Sequence, residues 1–261
     1  MTTLNARERE QAAGFDDFYR ARARSPFVSQ LYAEAMGDAY PHEVAPYSSC
    51  DWPALGTMVG RLQLAQGQLL ADVGCGTGGT GLWLARALNT QLIGIDVSTV
   101  AVNIATERRS TFVPGDHARF QIGGLETTGL DDACVHGLIC IDAFSNAGDH
   151  LAALREFRRI LAPGGRAIIT RALSPTSRHR LTQQAHLAGL TVEHVDNRPH
   201  EPGMWRRLYQ LWIHHEPQLR NELGNDEADR MMAEAQRQLP RLASRTAVIV
   251  TLSRPHSTAA A

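Results

Sequence analysis

Residues 69–79 read Leu69-Leu70-Ala71-Asp72-Val73-Gly74-Cys75-Gly76-Thr77-Gly78-Gly79, an apolar run that passes directly into a glycine-rich segment. A short apolar run before a turn signal is typical of a buried strand, and the spacing of apolar residues after Gly79 indicates a helix. Glycine accepts positive φ and lets a ligand approach the backbone without meeting a Cβ. The stretch therefore predicts a strand, a ligand-binding turn and a helix.

Two acidic residues near this turn indicate what the ligand is. Asp96 ends the next predicted strand, where a carboxylate can accept hydrogen bonds from both hydroxyls of a ribose. Gly74-x-Gly76-x-x-Gly79 also matches the glycine pattern of dinucleotide-binding proteins. The glycines alone therefore do not distinguish NAD from S-adenosylmethionine. Asp72 is unfavourable beside a pyrophosphate but suits the ammonium group of an amino acid. The pair favours S-adenosylmethionine (SAM) over NAD.

Short apolar runs alternate with helix-period segments from residue 68 to residue 173, which is typical of βαβ units around a parallel sheet. We predict strands at 69–73, 91–96, 120–122, 135–141, 166–171, 190–195 and 247–252. We predict helices at 80–88, 98–109, 151–161, 204–220 and 226–239. The expected fold class is α/β and Rossmann-like, with helices on both faces of the sheet.

The chain divides into four predicted parts. Residues 1–66 form an N-terminal helical segment that covers the active site, and residues 67–197 form the SAM-binding core. Residues 198–245 form a helical cap inserted between strands six and seven. Residues 246–261 hold the last strand of the core and a tail, 257–261, that we predict to be disordered.

The composition excludes several functional classes. The chain has 261 residues, with 26 Lys plus Arg against 27 Asp plus Glu and a formal net charge of -1, so it lacks the positive field that holds a nucleic acid or an anionic membrane. It contains no lysine, which excludes Schiff-base, P-loop and Tyr/Lys chemistry. The cysteines form no CxxC pair, and no stretch reaches membrane-spanning length. We expect a soluble cytoplasmic protein with a small-molecule substrate; a homodimer is compatible with the sequence.

The chain resembles the class I SAM-dependent methyltransferases through three motifs in the family's order and spacing. They are Asp72-x-Gly74-x-Gly76-x-Gly78, Gly94-Ile95-Asp96-Val97-Ser98 and Leu161-Ala162-Pro163-Gly164-Gly165. The resemblance covers residues 69–173. It implies a seven-stranded, mostly parallel sheet of order 3-2-1-4-5-7-6 with an antiparallel strand 7.

The resemblance also implies roles for cofactor-binding residues. The backbones of Gly74 and Cys140 would hold the methionine ammonium, with Asp72 close to it, and the loop containing Cys75 and Gly76 would hold its carboxylate. Asp96 would bind the ribose, and Val97 would lie against the face of the adenine.

The segment after the third predicted strand departs from the family. Many members have an aspartate there that meets the adenine amino group, whereas this chain has Gly124, which carries no side chain. Adenine recognition would then depend on the backbone amide of Leu125 and on Glu126 or a water.

Candidate catalytic and substrate residues follow the fourth predicted strand and lie in the helical segments. Asp142 and His150 are candidate catalytic residues, and His150 has a pKa suited to accepting a proton. Aromatic residues are candidates for enclosing the substrate: Tyr19, Tyr47, Phe144, Trp205, Tyr209 and Trp212. No carboxylate cluster indicates a metal, and the adjacent His214 and His215 point about 100° apart on a helix.

We therefore expect a SAM-dependent methyltransferase that acts on an O, N or C nucleophile of a hydrophobic small molecule, in bacterial secondary metabolism. Two alternatives remain. One is a protein of the same fold that binds SAM without methyl transfer, as a cyclase or a ligand-binding protein. The other is an NAD-dependent oxidoreductase.

Overall fold

The computed structural model describes residues 4–256, which form one seven-stranded sheet surrounded by helices. The predicted tail, 257–261, lies outside the described residues. The strands are β1 (Leu69–Val73), β2 (Gln91–Asp96), β3 (Ala118–Ile122), β4 (Val135–Cys140), β5 (Leu161–Leu173), β6 (Thr191–Asn197) and β7 (Thr246–Ser253). The helices are α1 (Ala6–Ala23), α2 (Phe27–Met36), α3 (Trp52–Leu62), α4 (Gly79–Leu88), α5 (Thr99–Arg108), α6 (His150–Ile160), α7 (Pro175–Leu187), α8 (Glu201–His214), α9 (Glu216–Leu223) and α10 (Asn225–Gln238).

The strand order is 3-2-1-4-5-7-6, with β7 antiparallel to β5 and β6 and the other pairs parallel. This confirms the expected fold class. Parallel pairing places the carboxyl ends of β1, β2, β3 and β4 at one edge of the sheet. Chain segments that leave these strands therefore meet at that edge.

Local sequence sets the ends of the helices that flank the sheet. The Asp149 carboxylate accepts hydrogen bonds from the amides of Leu151 and Ala152 at the start of α6, as expected of an N-cap. The inner face of α6 buries Leu154 and Phe157 against the sheet. β1 lies between this layer and the opposite one, because alternate β1 residues pack into two different hydrophobic clusters.

A third cluster lies outside the sheet and joins α2 to α8, α9 and α10. The predicted single helix 204–220 is wrong: the structure has α8 and α9, separated at His215. Pro217 explains the break, because proline has no backbone N–H and fits only in the first turn of α9. The predictions also missed α7, whose apolar residues show a weak helical pattern.

Helix α1 connects the sheet to this outer cluster. Its Asp16 carboxylate accepts hydrogen bonds from the Ser98 hydroxyl (2.6 Å) and the Val100 amide (3.1 Å) at the start of α5. Near the C-terminal end of α1, Arg22 forms a buried ion pair with Glu227 of α10. The C-terminal half of α1 is thus attached at two points, and the helix crosses the edge where the parallel strands end.

The helices of residues 4–256 include none with the length and apolar character needed to cross a bilayer.

Candidate active site

A cavity of about 170 Å³ lies at the carboxyl ends of the parallel strands, beneath α1. The segments that follow β1, β2, β3 and β4 form its floor, and residues of α1 and of the segment 44–48 form its roof. The site is therefore assembled from the sheet edge and the N-terminal helical segment.

The turn after β1 needs glycine for two separate reasons. Gly74, Gly76 and Gly78 have φ values of 78°, 52° and 75°, which side chains rarely tolerate. A Cβ on Gly74 would collide with the Ala143 side chain. The amides of Gly74 and Cys75 both donate to the Ile95 carbonyl, at 2.7 and 3.0 Å, so the turn is fastened to β2.

Asp96 lies at the end of β2 with its carboxylate already oriented. Its Oδ2 accepts a hydrogen bond from the Gly76 amide at 2.8 Å, and its Oδ1 accepts one from the Ser98 amide at 2.9 Å. Burial raises the pKa of this carboxyl, while these amides oppose the rise. Each oxygen keeps a lone pair that can accept from a ligand hydroxyl on the cavity side.

Asp72 is a buried carboxyl on the cavity wall beneath the glycine turn. Its side chain accepts a hydrogen bond from the Gly81 amide at 3.1 Å. Burial, with a further contribution from the charge of Asp96, raises the pKa of Asp72 to about 7. An ionised Asp72 is therefore unfavourable by itself, and a cation in the cavity would stabilise it.

One face of α1 lines the roof. Its cavity-facing residues recur at helical spacing and are Glu8, Gln11, Phe15, Phe18 and Tyr19. A Cβ added to Gly76 would lie 2.7 Å from the Tyr19 hydroxyl, so α1 approaches the glycine turn closely. Burial raises the pKa of Tyr19 well above its usual value, which keeps its hydroxyl protonated. Of these five residues, only Tyr19 was predicted from the sequence; the helical spacing of the other four was the signal that could have found them.

The residues predicted to bind the cofactor separate into two groups. The cavity lining includes Asp72, Gly74, Cys75, Gly76, Asp96, Val97, Gly124 and Leu125. Cys140 is fully buried inside the core, one residue before the lining begins at Ile141. Burial of the Cys140 side chain does not test the predicted contact of its backbone with the methionine ammonium, which stays a prediction.

Asp142 and Tyr47 reach the cavity. The Asp142 carboxylate also accepts hydrogen bonds from the Ser49 amide at 2.6 Å and the Thr170 hydroxyl at 2.7 Å. Asp142 therefore joins the N-terminal segment to β5. Tyr47 accepts a hydrogen bond from Ser29 at 3.1 Å, which orients its ring within the roof.

His150 and Phe144 do not line the cavity, contrary to the expectation from sequence. Phe144 is fully buried in the core, and the His150 ring stacks on it with centroids 5.0 Å apart. Burial lowers the pKa of His150. The segment after β4 forms a short 3-10 helix, Phe144–Asn146, and His150 is the first residue of α6.

The aromatic residues of α8 form the interior of the outer cluster. Trp212 and Tyr209 are buried there with Tyr32 of α2, and Trp205 packs against them. Tyr209 donates to Glu234 at 3.0 Å, and the Trp205 indole donates to Glu201 at 2.9 Å. Trp205, Tyr209 and Trp212, predicted to enclose a substrate, lie in the outer cluster and are not among the residues that line the cavity.

The sheet order, the glycine turn after β1 and the carboxylate after β2 together define the Rossmann-like, SAM-binding methyltransferase fold. Residues 70–165 match the family model described as a methyltransferase domain. This part of the chain is therefore similar to methyltransferase domains.

The curated relatives match a little over half of the chain. The chain is 30% identical over 145 residues to O-methyltransferase cnsE of Penicillium expansum, covering 56% of this chain and 48% of that protein. It is 31% identical over 142 residues to phosphoethanolamine N-methyltransferase 1 of Triticum aestivum, covering 53% and 26%. The chain thus spans about half or less of the length of these relatives.

Solved structures share the fold over almost the whole chain. The [4+2]-cyclase SpnF aligns with a TM-score of 0.74 at 18% identity, covering 96% of this chain and 97% of that one. The cyclopropane synthase MmaA2 of Mycobacterium tuberculosis aligns with a TM-score of 0.69 at 17% identity, covering 91% and 97%. At these identities the likeness concerns the fold.

Proposed function

We propose that the protein transfers the methyl group of SAM to an oxygen of a hydrophobic small molecule. The observation that carries the proposal is the cavity at the strand ends, where a positive-φ glycine turn and the oriented Asp96 carboxylate lie within a methyltransferase domain. Oxygen as the acceptor is supported by four relatives that are named O-methyltransferases.

The residues of the cavity fit this cofactor. Asp96 supplies carboxylate oxygens suited to ribose hydroxyls, and Asp72 supplies a buried negative charge suited to an ammonium group. The Gly74 turn leaves the backbone accessible without a Cβ. When bound, SAM supplies an activated methyl group on a sulfonium. The protein then has to orient the acceptor and exclude water.

The roof of the cavity fits an apolar acceptor. Phe15, Phe18, Val44, Pro46 and Tyr47 lie on this side of the cavity, together with Ile141 of the opposite wall. Their surfaces favour an aromatic or terpenoid substrate over a charged one. This supports the proposal of a role in natural-product metabolism; a bacterial source stays a prediction.

Asp142 is the proposed acceptor of the proton that the substrate hydroxyl loses. Of the two candidate catalytic residues, Asp142 lies on the cavity and His150 does not. Its carboxylate keeps lone pairs beyond those used by Ser49 and Thr170.

Methyl transfer is tested by incubating the purified protein with methyl-labelled SAM and a panel of hydroxylated aromatic and terpenoid compounds. Mass spectrometry should detect a labelled methyl ether and an equal amount of S-adenosylhomocysteine. A protein that binds SAM but forms no S-adenosylhomocysteine with any compound would contradict the proposal.

A cyclase is the second candidate, because the alignment with SpnF covers both chains almost completely. The same incubation separates the two. A cyclase would give a product of unchanged mass and an altered retention time, and the methyl label would stay on SAM.

Asp96→Ala is expected to weaken SAM binding by about 1 to 3 kcal/mol, because charge-assisted hydrogen bonds to the ribose are lost. Isothermal titration calorimetry measures the change. Asp116→Ala, at an exposed loop position, serves as the matched control and should leave the dissociation constant unchanged. An unaltered affinity in Asp96→Ala would remove the ribose assignment.

A further inference from the structure

The strand order determines where the base of a bound nucleoside must lie. Going outward from the centre of the sheet, the order is β1, β2 and β3. The glycine turn follows β1, Asp96 ends β2, and Gly123 and Gly124 follow β3. A ligand with its amino-acid end at the turn and its ribose at Asp96 therefore directs its base toward Gly123 and Gly124.

The end of β3 offers no polar side chain of its own at these two positions. A Cβ on Gly123 would lie 2.6 Å from the Thr128 carbonyl oxygen. A Cβ on Gly124 would collide with the carboxylate of Glu8, which comes from α1. Glu8 thus occupies the space that a side chain at position 124 would need.

The Glu8 carboxylate is buried, and only one of its two oxygens accepts a hydrogen bond. Glu8 is 6% exposed and lies on the cavity wall. Oε2 accepts a hydrogen bond from the Asn5 amide at 2.8 Å as part of the N-terminal cap of α1. Within residues 4–256, Oε1 has no hydrogen-bond partner. A buried carboxylate oxygen without a donor is costly, so its position indicates a donor supplied by the ligand.

We propose that Glu8 Oε1 accepts a hydrogen bond from the exocyclic amino group of the bound adenine, so that α1 supplies the base recognition that the segment after β3 lacks. The proposal rests on the proposed use of SAM. The amino group of adenine is a donor, and a carboxylate is the strongest acceptor that a side chain offers.

The attachments of α1 hold Glu8 in this place. Asn5 and Glu8 bond reciprocally at the start of the helix, and Asp16 binds the start of α5. The cap orients the Glu8 side chain, and the Asp16 contacts attach α1 to the start of α5. Glu8 can therefore act as a fixed element of the site and distinguish one base from another.

The test compares two ligands by calorimetry, S-adenosylhomocysteine and its analogue with hydrogen in place of the 6-amino group. The wild type should prefer the amino compound by about 10-fold to 100-fold, the range of a hydrogen bond to a charged group. In Glu8→Ala the preference should fall to about threefold or less. Glu8→Gln, which keeps a neutral acceptor, should give an intermediate preference.

Two further variants separate the base contact from the stability of α1. Asn5→Ala removes the Asn5 side chain from the helix cap and keeps the Glu8 carboxylate, so the preference for the amino compound should persist. Gly124→Ala should displace the carboxylate and reduce the preference as Glu8→Ala does, whereas Gly115→Ala, where a Cβ meets nothing within 4 Å, should not.

The outcomes distinguish this inference from the function on which it rests. A wild type without preference, or a preference that survives in Glu8→Ala, overturns the role of Glu8 while S-adenosylhomocysteine binding upholds the cofactor. A wild type that binds neither ligand overturns both.

Discussion

Trp212→Ala is expected to lower the free energy of unfolding by about 3 to 5 kcal/mol, the range for removing a large aromatic side chain from a packed interior. Trp212 is 2% exposed and packs edge-to-face against Tyr209 and Tyr32, with centroids 5.2 and 6.5 Å apart. The substitution would leave a cavity between α8 and α2. Urea unfolding followed by circular dichroism measures the loss.

The neighbouring residue provides the control. Ile213 is 45% exposed on the same helix, so Ile213→Ala should change the stability by about 0.5 kcal/mol or less. A Trp212→Ala variant with unchanged stability and an impaired affinity for the methyl acceptor would instead support a place for Trp212 in the substrate pocket.

Asp72→Asn is expected to stabilise the protein without cofactor, by an amount that grows with pH. The pKa of Asp72 is about 7 in the folded protein and close to 3.8 in the unfolded chain. Between these values the folded state binds a proton that the unfolded state does not, so the stability of the wild type falls as pH rises from 4 to 7. Asparagine removes this loss, and the gain should reach about 4 kcal/mol at pH 8.

Urea unfolding at pH 5 and pH 8 measures this gain, which should be smaller at pH 5. Asp116→Asn, at an exposed position, should show no such dependence. The same Asp72→Asn variant should bind SAM more weakly, because the proposed partner of the ammonium has lost its charge. Equal stability of wild type and variant at pH 8 would contradict a buried charge at this position.

The sequence predicted the sheet because each strand is a local apolar run with a turn signal at its end. The runs at 69–73 and 91–96 coincide with β1 and β2 in the structure. β5, Leu161–Leu173, is longer than the predicted strand 166–171 and includes Pro163, Gly164 and Gly165. The break between α8 and α9 was missed although Pro217 marks it.

The candidate site was predicted in part. Residues whose roles depend on nearby sequence were found, and residues that meet only across a long distance along the chain were missed. Asp72, Gly74 and Asp96 were found because their roles depend on a turn and on strand ends that they form themselves. Glu8 lies far from Gly124 in sequence, and no local pattern relates them. Trp212 was assigned to the cavity because an aromatic residue at helical spacing gives the same pattern in a pocket wall and in a core. Phe144 was assigned because it follows the fourth predicted strand.

The sequence by itself determined the succession of the strands along the chain, the glycine turn and the carboxylate that ends β2, because backbone conformation at those positions depends on the residues present. The tertiary structure decided which side chains from distant segments face the cavity. Burial and packing of α1 against the sheet edge bring Glu8 beside Gly124, and the packing of α8 against α2 takes Trp212 into the outer cluster. Such choices depend on how whole elements pack together, which no short stretch of sequence contains.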